Sequence, residues 1–396
     1  MTITTEELRN RVAAVVTEMT TLRRKIHSYP EPAYEEYRTA AEIVGYLQAI
    51  EDMEITTGYG KTGVVALLGK DRPGPCLALR ADMDCLRMQE NNLFAHASRR
   101  KGLMHGCGHD GHVAALVGAA LVLGSMADGL TGPVKYIFQP GEENAAGAKE
   151  VIADGALENP VPKAIFALHG TPSLPLGSVG LRCGAMMATS RYFTITVTGK
   201  GAHAAMPHKG IDCVLVASHI VCAVHSIISR NINPLEAALI SIPSFNASKA
   251  PNVLPAEVTL QGTLRALSDE TREFLETRLR DVATHTASSF GAEANVEFEG
   301  GYPLLVNDGG CHEYLLDAAV AVVGQSNVRS DYPPSLGAED FAFYLERVPG
   351  AFCWLGLGVD ETLDAPLHNP CFDFNDDALG RAIELYCHLA LGSRLL

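Results

Sequence analysis

Apolar residues recur at intervals of three and four through the opening segment, at Leu8, Val12, Val15, Met19, Leu22 and Ile26, with Glu6 and Glu7 ahead of them. That period predicts a helix with one buried face and acidic groups in its first turn, stopped by Pro30 and Pro32. A second helix is predicted with Ala40, Ile43, Val44 and Leu47 on one face. The pattern then shortens to unbroken apolar runs, 63–68, 76–81, 134–138 and 164–168, which read as strands buried on both faces. Helical stretches separate several of them, notably 112–126. Such alternation predicts an α/β domain with a mixed, mostly parallel sheet covered by helices.

Between roughly 186 and 299 the rhythm differs. Residues 191–198 alternate as a half-buried strand, 211–230 reads as a helix, and 237–242 and 258–266 read as strands. Ser268 is placed to cap a helix whose apolar face is Leu275, Leu279, Val282, Ala283 and Phe290, and 295–298 supplies a last strand. The order β-α-β-β-α-β predicts a ferredoxin-like α+β domain. The expected organisation is a larger domain in two parts, 1–185 and 300–396, interrupted by this domain at 186–299.

Length and composition fit that division. A chain of 396 residues with 47% hydrophobic and 19% charged residues has the make-up of an ordinary globular protein with room for two cores. A formal charge of −15 argues against a nucleic-acid partner. The opening MTITTEELRN has neither a basic nor an apolar leader region, and the apolar stretch from Val113 to Ala127 is shorter than the ~20 residues a bilayer requires. The ten cysteines lack paired spacing, so free thiols, a cytoplasmic location and no membrane association are expected.

Chemistry concentrates in HGCGHD, residues 105–110. Cys107 and His109 are two positions apart between glycines, so a thiolate and an imidazole can converge on one point, a donor pair suited to zinc-like metals. Glu142 and Glu143 in QPGEEN, His169 in ALHG and His368 in LHNPCFDFND supply further donors. One of the adjacent glutamates can bind metal while its neighbour stays free as a base, and the residues alone leave open which does which. Five ligands exceed one tetrahedral site and imply two metals about 3.5–4 Å apart. His368 lies far from the rest in sequence, which is why the middle domain reads as an insertion. A thiol-nucleophile amidase using Cys107 with His109 would leave the glutamates, His169 and His368 without a use. A bare metal binder would have no use for a base.

The segments RRKIHSYPEPAYEE, LRADMDCLRMQE, MHGCGHDGH, FQPGEENAAGA, GKGAHAAMPH, PNVLPAEVTLQGTLR, LGAEDFAFYL and LHNPCFDFND resemble, in order and spacing, the M20 metallopeptidase family. The branch resembled holds the aminoacylases, hippurate hydrolases and auxin-conjugate amidohydrolases. The resemblance implies Cys107, His109, Glu143, His169 and His368 as ligands of two divalent ions (Zn, Mn, Ni or Co), with Glu142 as general base. It implies cleavage of N-acyl amino acids to a carboxylic acid and a free amino acid, with a dipeptidase or metallocarboxypeptidase as the alternative.

In the inserted domain, His203 alone would read as a surface histidine. The resemblance makes it a residue that reaches the partner subunit's active site and steadies the oxyanion, in a homodimer or dimer of dimers whose inserted domain closes as a lid. Asn252 and Arg265 match substrate-facing positions, and a guanidinium suits a free carboxylate. Arg80 stands where many members carry a metal-binding histidine, which leaves the role of Asp82 open. Cys85 and Arg87 depart from the usual alanine and proline, and Arg87 is expected to face solvent. His105, His112 and His208 are expected to be supporting or structural. Trp354 and the other cysteines, Cys371 included, are expected in the core.

Overall fold

Thr4 accepts the Glu7 N–H and caps α1 (Thr5–Ser28), whose Leu8, Val12, Met19, Leu22 and Ile26 are buried along one stripe. The structure, a computed structural model, describes residues 4–359 and 364–392. These residues gather into two compact units. The first holds the chain up to Gly184, Val306–Pro333, and everything from Asp340 onward; the second is Ala185–Leu305 with Pro334–Glu339.

The first unit continues with α2 (Tyr37–Leu47), β1 (Met53–Tyr59), β2 (Gly63–Leu68), β3 (Leu77–Asp82), α3 (His109–Gly124) and β4 (Val134–Gln139). After them come α4 (Glu142–Ala145), α5 (Gly147–Ala153), β5 (Ala164–Pro175) and β6 (Val179–Gly180). Following the second unit, the chain returns through β14 (Leu305–Asn307), α8 (Gly309–Val323), β15 (Val328–Arg329), α9 (Ala342–Leu345), β16 (Gly350–Gly358) and α10 (Leu379–Leu391). An eight-stranded sheet runs β1-β2-β4-β3-β5-β16-β6-β15. Its centre, β4-β3-β5-β16, is parallel, while β1-β2, β2-β4 and β16-β6 are antiparallel. β2, β3 and β4 are buried at every residue, which is why their sequences read as apolar runs, and β16 is buried throughout as well. α3 is likewise apolar on nearly all sides, because α1 and α10 pack on it while it lies on the sheet.

α3 begins at His109, three residues earlier than the apolar pattern suggests, and its first turn leaves no space: a Cβ on Gly111 would overlap the ring of Phe374. Gly111→Ala is therefore expected to lower stability by about 1–3 kcal/mol, read as a lower denaturant midpoint. An unchanged midpoint would mean that the Phe374 segment moves aside without cost.

The chain enters the second unit through β7 (Gly184–Met187), and the unit contains β8 (Thr189–Thr198), β9 (Ala202–His203), α6 (Cys213–Asn231), β10 (Ala238–Asn246), β11 (Val253–Leu254), β12 (Glu257–Ala266), α7 (Asp269–Ser289) and β13 (Glu293–Glu299). The sheet β10-β12-β8-β13 is antiparallel throughout, the ferredoxin-like order. Val216, Ile220, Val224 and Ile227 of α6 and Leu275, Leu279 and Ala283 of α7 are buried in its core. Ser268 caps α7 by accepting the Thr271 N–H. Phe290, expected on that apolar face, is instead exposed: α7 ends at Ser289, so the ring leaves the helical stripe and lies against His219 with centroids 4.7 Å apart. α6 is the described helix long and apolar enough to cross a bilayer, and it buries one stripe, Val216, Ala217, Ile220, Val224 and Ile227, in the core of the second unit. Trp354 is buried as expected, whereas Cys183, Cys222 and Cys371 are exposed, so the expectation of buried cysteines fails for these three.

Candidate metal centre

Gly108 adopts the left-handed region (φ 90°) and turns the chain into α3, so Cys107 ends the loop and His109 begins the helix, both buried. Cys107 Sγ, a His109 ring nitrogen and a Glu143 carboxylate oxygen lie within 4.8 Å of one another. His169 Nε2 stands 3.4 Å from Cys107 Sγ, and His368 Nε2 stands 3.2 Å from Glu143 Oε1. The His368 N–H donates to the Gly106 carbonyl at 2.8 Å, which ties this late candidate ligand to the HGCGHD loop. His368 takes a left-handed backbone (φ 63°) there, a conformation uncommon for histidine and often found where function demands it. All five expected ligands thus meet within the first unit. One detail differs: His169 lies inside β5 rather than past its end, because pairing with β16 carries the strand on to Pro175.

Two of the imidazoles are fixed from behind. His109 Nδ1 donates to the Asp84 carbonyl at 2.9 Å, and His169 Nδ1 to the Gly170 carbonyl at 2.8 Å. Their Nε2 atoms face the cluster, and His109 Nε2 is buried without a hydrogen-bond partner. Burial opposes charge on His109, yet the Asp82, Asp84 and Glu143 carboxylates outweigh it and hold its pKa up at about 10. Burial, reinforced by His112, keeps His169 neutral. The pocket therefore calls for positive charge, and an orphaned imidazole nitrogen beside a thiol, further imidazoles and a carboxylate fits a divalent metal of the zinc type.

Burial, and then the Glu143, Glu142 and Asp82 carboxylates, push the Cys107 thiol well above the ordinary thiol range. Metal coordination would commit its thiolate and make it inert. In chelated protein, alkylation of Cys107 is expected to be slow at neutral pH and still rising at a pH where ordinary thiols have levelled off. Peptide mapping can read this against the exposed Cys183, Cys222 and Cys371. Labelling as fast as those three at neutral pH would contradict it.

His112 also groups with Asp82, His109 and His169 within metal-binding reach, but both its nitrogens are used. Its Nε2 accepts the Gly170 N–H at 2.9 Å, so Nδ1 carries the proton and donates to Asp82 Oδ1 at 2.6 Å. This gives Asp82 its role: it holds His112, while its other oxygen accepts from the fully buried Arg80 at 2.7 Å. Arg80 also donates to Gln139 at 2.8 Å and to Asp340 at 2.9 Å. His105 is buried without hydrogen-bond partners, and burial lowers its pKa to about 3. His208 is exposed in the second unit. Arg87 is exposed and pairs with Glu35 at 3.3 Å, as its expected solvent-facing position requires.

Glu142 is buried at the start of α4, next to Glu143. Residues that sequence reading passed over hold this turn: Asp84 accepts the N–H groups of Glu142 and Glu143, and Glu36 accepts that of Gly141, each at 3.0 Å.

In the second unit, β9 pairs with β11, setting His203 opposite Val253, and the Ala204 N–H donates to the Asn252 carbonyl at 3.0 Å. His203 and Asn252 are thus neighbours, and both are exposed. Arg265 lies apart from them on β12, bonded to the Thr263 hydroxyl and the Leu264 carbonyl and set over the Tyr192 ring. Among the described residues no carboxylate pairs with Arg265.

Residues 78–392 match the pattern of peptidase family M20/M25/M40. The chain belongs to this family. It is 39% identical over 361 residues to an N-acetyl-L-cysteine deacetylase of Bacillus subtilis (strain 168), spanning 91% of this M20 chain and 84% of the relative. It is 37% identical over 379 residues to the IAA-amino acid hydrolase ILR1-like 4 of Arabidopsis thaliana, spanning 94% and 84% respectively. Among solved structures it resembles a dinuclear metal-binding peptidase of the M20 family from Bacillus subtilis, with TM-score 0.80, 33% identity, and coverage of 96% of this chain and 98% of that one.

Proposed function

We propose that this M20 chain hydrolyses the amide bond of N-acyl amino acids, hippurate-like substrates among them, to a carboxylic acid and a free amino acid. The observation that carries the reading is a Cys107–His109–Glu143–His169–His368 donor set, buried at Cys107, His109 and His169, with Glu142 beside it as a buried glutamate outside that set. Relatives named as an N-acetyl-L-cysteine deacetylase and an IAA-amino acid hydrolase support it, and the dinuclear peptidase supports two metal ions per chain. When bound, the ions supply Lewis acidity toward the scissile carbonyl and the attacking water. Glu142 takes the proton of that water and returns it to the leaving amine. Arg265 and Asn252 hold the substrate's carboxylate end, where a guanidinium is well matched. The second unit serves as dimerisation domain and lid, and His203 of one chain donates to the oxyanion in the partner subunit. Ten free thiols support the expected cytoplasmic setting.

A panel of hippurate, N-acetylcysteine and indole-acetyl amino acids against dipeptides, compared by kcat/KM, tests the substrate class. N-acyl amino acids are expected to be the better substrates. Preference for dipeptides would favour the second reading, a dipeptidase or metallocarboxypeptidase, which draws on the peptidase likeness.

A further inference from the structure

We infer that Thr263 and Tyr192 are positioning residues that hold the Arg265 guanidinium ready for the substrate's carboxylate. All three lie on the four-stranded sheet of the second unit. Side chains two apart on a strand share a face, so Thr263 and Arg265 of β12 point the same way. That face is turned away from α6 and α7, because the alternate residues Leu264 and Ala266 are buried in the core those helices cover. Thr263 stands directly opposite Tyr192 in the register with β8, which makes Arg265 and Tyr192 diagonal neighbours. A long side chain spans that diagonal.

The hydrogen bonds divide the guanidinium into a held end and an open edge. Arg265 Nη1 donates to the Thr263 hydroxyl and to the Leu264 carbonyl, the latter at 3.0 Å. The Thr263 hydroxyl gives its one proton to the Arg191 carbonyl at 3.0 Å, so toward Arg265 it can only accept. The Tyr192 ring centroid lies 5.8 Å from Arg265 Cζ, within range of a cation–π contact. Among the described residues, Arg265 Nε and Nη2 make no hydrogen bond. Their N–H groups run parallel along one edge, the arrangement that grips both oxygens of a carboxylate.

A loose arginine would have to be ordered at the moment of binding. Fixing one rotamer-rich side chain beforehand is worth about 2–10-fold in affinity. The neutrality of the anchors matters as well. An aspartate would hold the guanidinium equally firmly but would cancel the charge that the substrate is to meet. A hydroxyl and an aromatic face hold it and leave that charge in place.

The inference rests on the carboxylate-binding role proposed above for Arg265, and its first test needs no substrate. Motion of the Arg265 Nε–H group is read by NMR relaxation of the full chain carrying nitrogen-labelled arginine, with the signal identified by its loss in R265K. T263V, T263S, Y192L and Y192F are compared with wild type and with the control T259V. Thr259 shares that face of β12 but lies six residues, about 20 Å, from Arg265. Wild type, T263S, Y192F and T259V are expected to show a rigid group, and T263V and Y192L a mobile one. In kinetics, T263V is expected to raise KM for N-acyl amino acids about 2–10-fold with kcat nearly unchanged, and T263S to restore it. The same substrates with a carboxamide in place of the carboxylate should not distinguish T263V from wild type. An equally rigid Arg265 in folded T263V and Y192L would overturn the inference, and so would an equal rise in KM for the carboxamides. Should T263V not fold, Y192L against Y192F decides. A rigid Arg265 that T263V loosens, in a protein that cleaves no N-acyl amino acid, would defeat the proposed function and leave the positioning result standing.

Discussion

Glu142→Gln is expected to lower kcat by about 10²–10⁴-fold, the usual worth of a general base, while the protein keeps its metal. Glu142 and Glu143 are adjacent, and both N–H groups are held by Asp84, so their backbones are placed alike and only the side chains differ in direction. Glu143 Oε1 faces His368 at 3.2 Å and lies within the Cys107–His109 cluster, the position of a ligand. Glutamine at 142 preserves the shape and hydrogen-bonding reach of the side chain but cannot take a proton from water. Glutamine at 143 gives up ligand charge, so Glu143→Gln should lose metal as well as activity. Elemental analysis of the two variants beside their kinetics distinguishes the roles. Equal metal loss in both would mean that the roles are divided differently.

His203→Ala is expected to lower kcat by about 10²–10³-fold with metal content unchanged, the range for loss of one oxyanion donor. The local geometry suits a donor. The Ala205 N–H donates to His203 Nδ1 at 3.1 Å, which leaves the proton on Nε2 of an exposed ring. An imidazole prepared in this tautomer can donate to developing negative charge without first rearranging. The proposed arrangement in trans has its own test. Inactive His203→Ala and Glu142→Gln chains, mixed under conditions where subunits exchange, should recover part of the activity, because some mixed dimers hold one intact site. If subunits exchange and no activity returns, His203 acts within its own chain or takes no part.

The candidate ligands were legible in the sequence because metal chemistry restricts residue type: sulfur, imidazole and carboxylate in glycine-flanked loops have few other reasons to occur together. The elements of the fold were legible where burial is uniform or periodic, as in β2, β4, α1 and α7. β16 was not, because the three glycines of GAFCWLGLG dilute its strand signal, although it pairs along much of β5. Asp84 and the Arg80–Asp82–His112 chain escaped for a different reason. Their work is hydrogen bonding to backbone groups and to one another, and a backbone N–H has no residue type by which to be recognised. A signal was present in LRADMD, where an arginine and two carboxylates at a spacing of two close an apolar strand. Charges at the end of a buried strand need partners, and the fold supplies them. Phe290 and the exposed Cys183, Cys222 and Cys371 show the opposite error, in which apolar character was taken for burial.

Metal titration of the chelated protein, followed by hydrolysis of an N-acyl amino acid, tests the two-metal hydrolase most directly. Zinc, manganese, nickel and cobalt would each be added back in turn. The chelated chain is predicted to be inactive, with activity returning on add-back and saturating near two ions per chain, about the number a five-ligand centre accommodates. Undiminished hydrolysis by protein shown to be free of metal would contradict it.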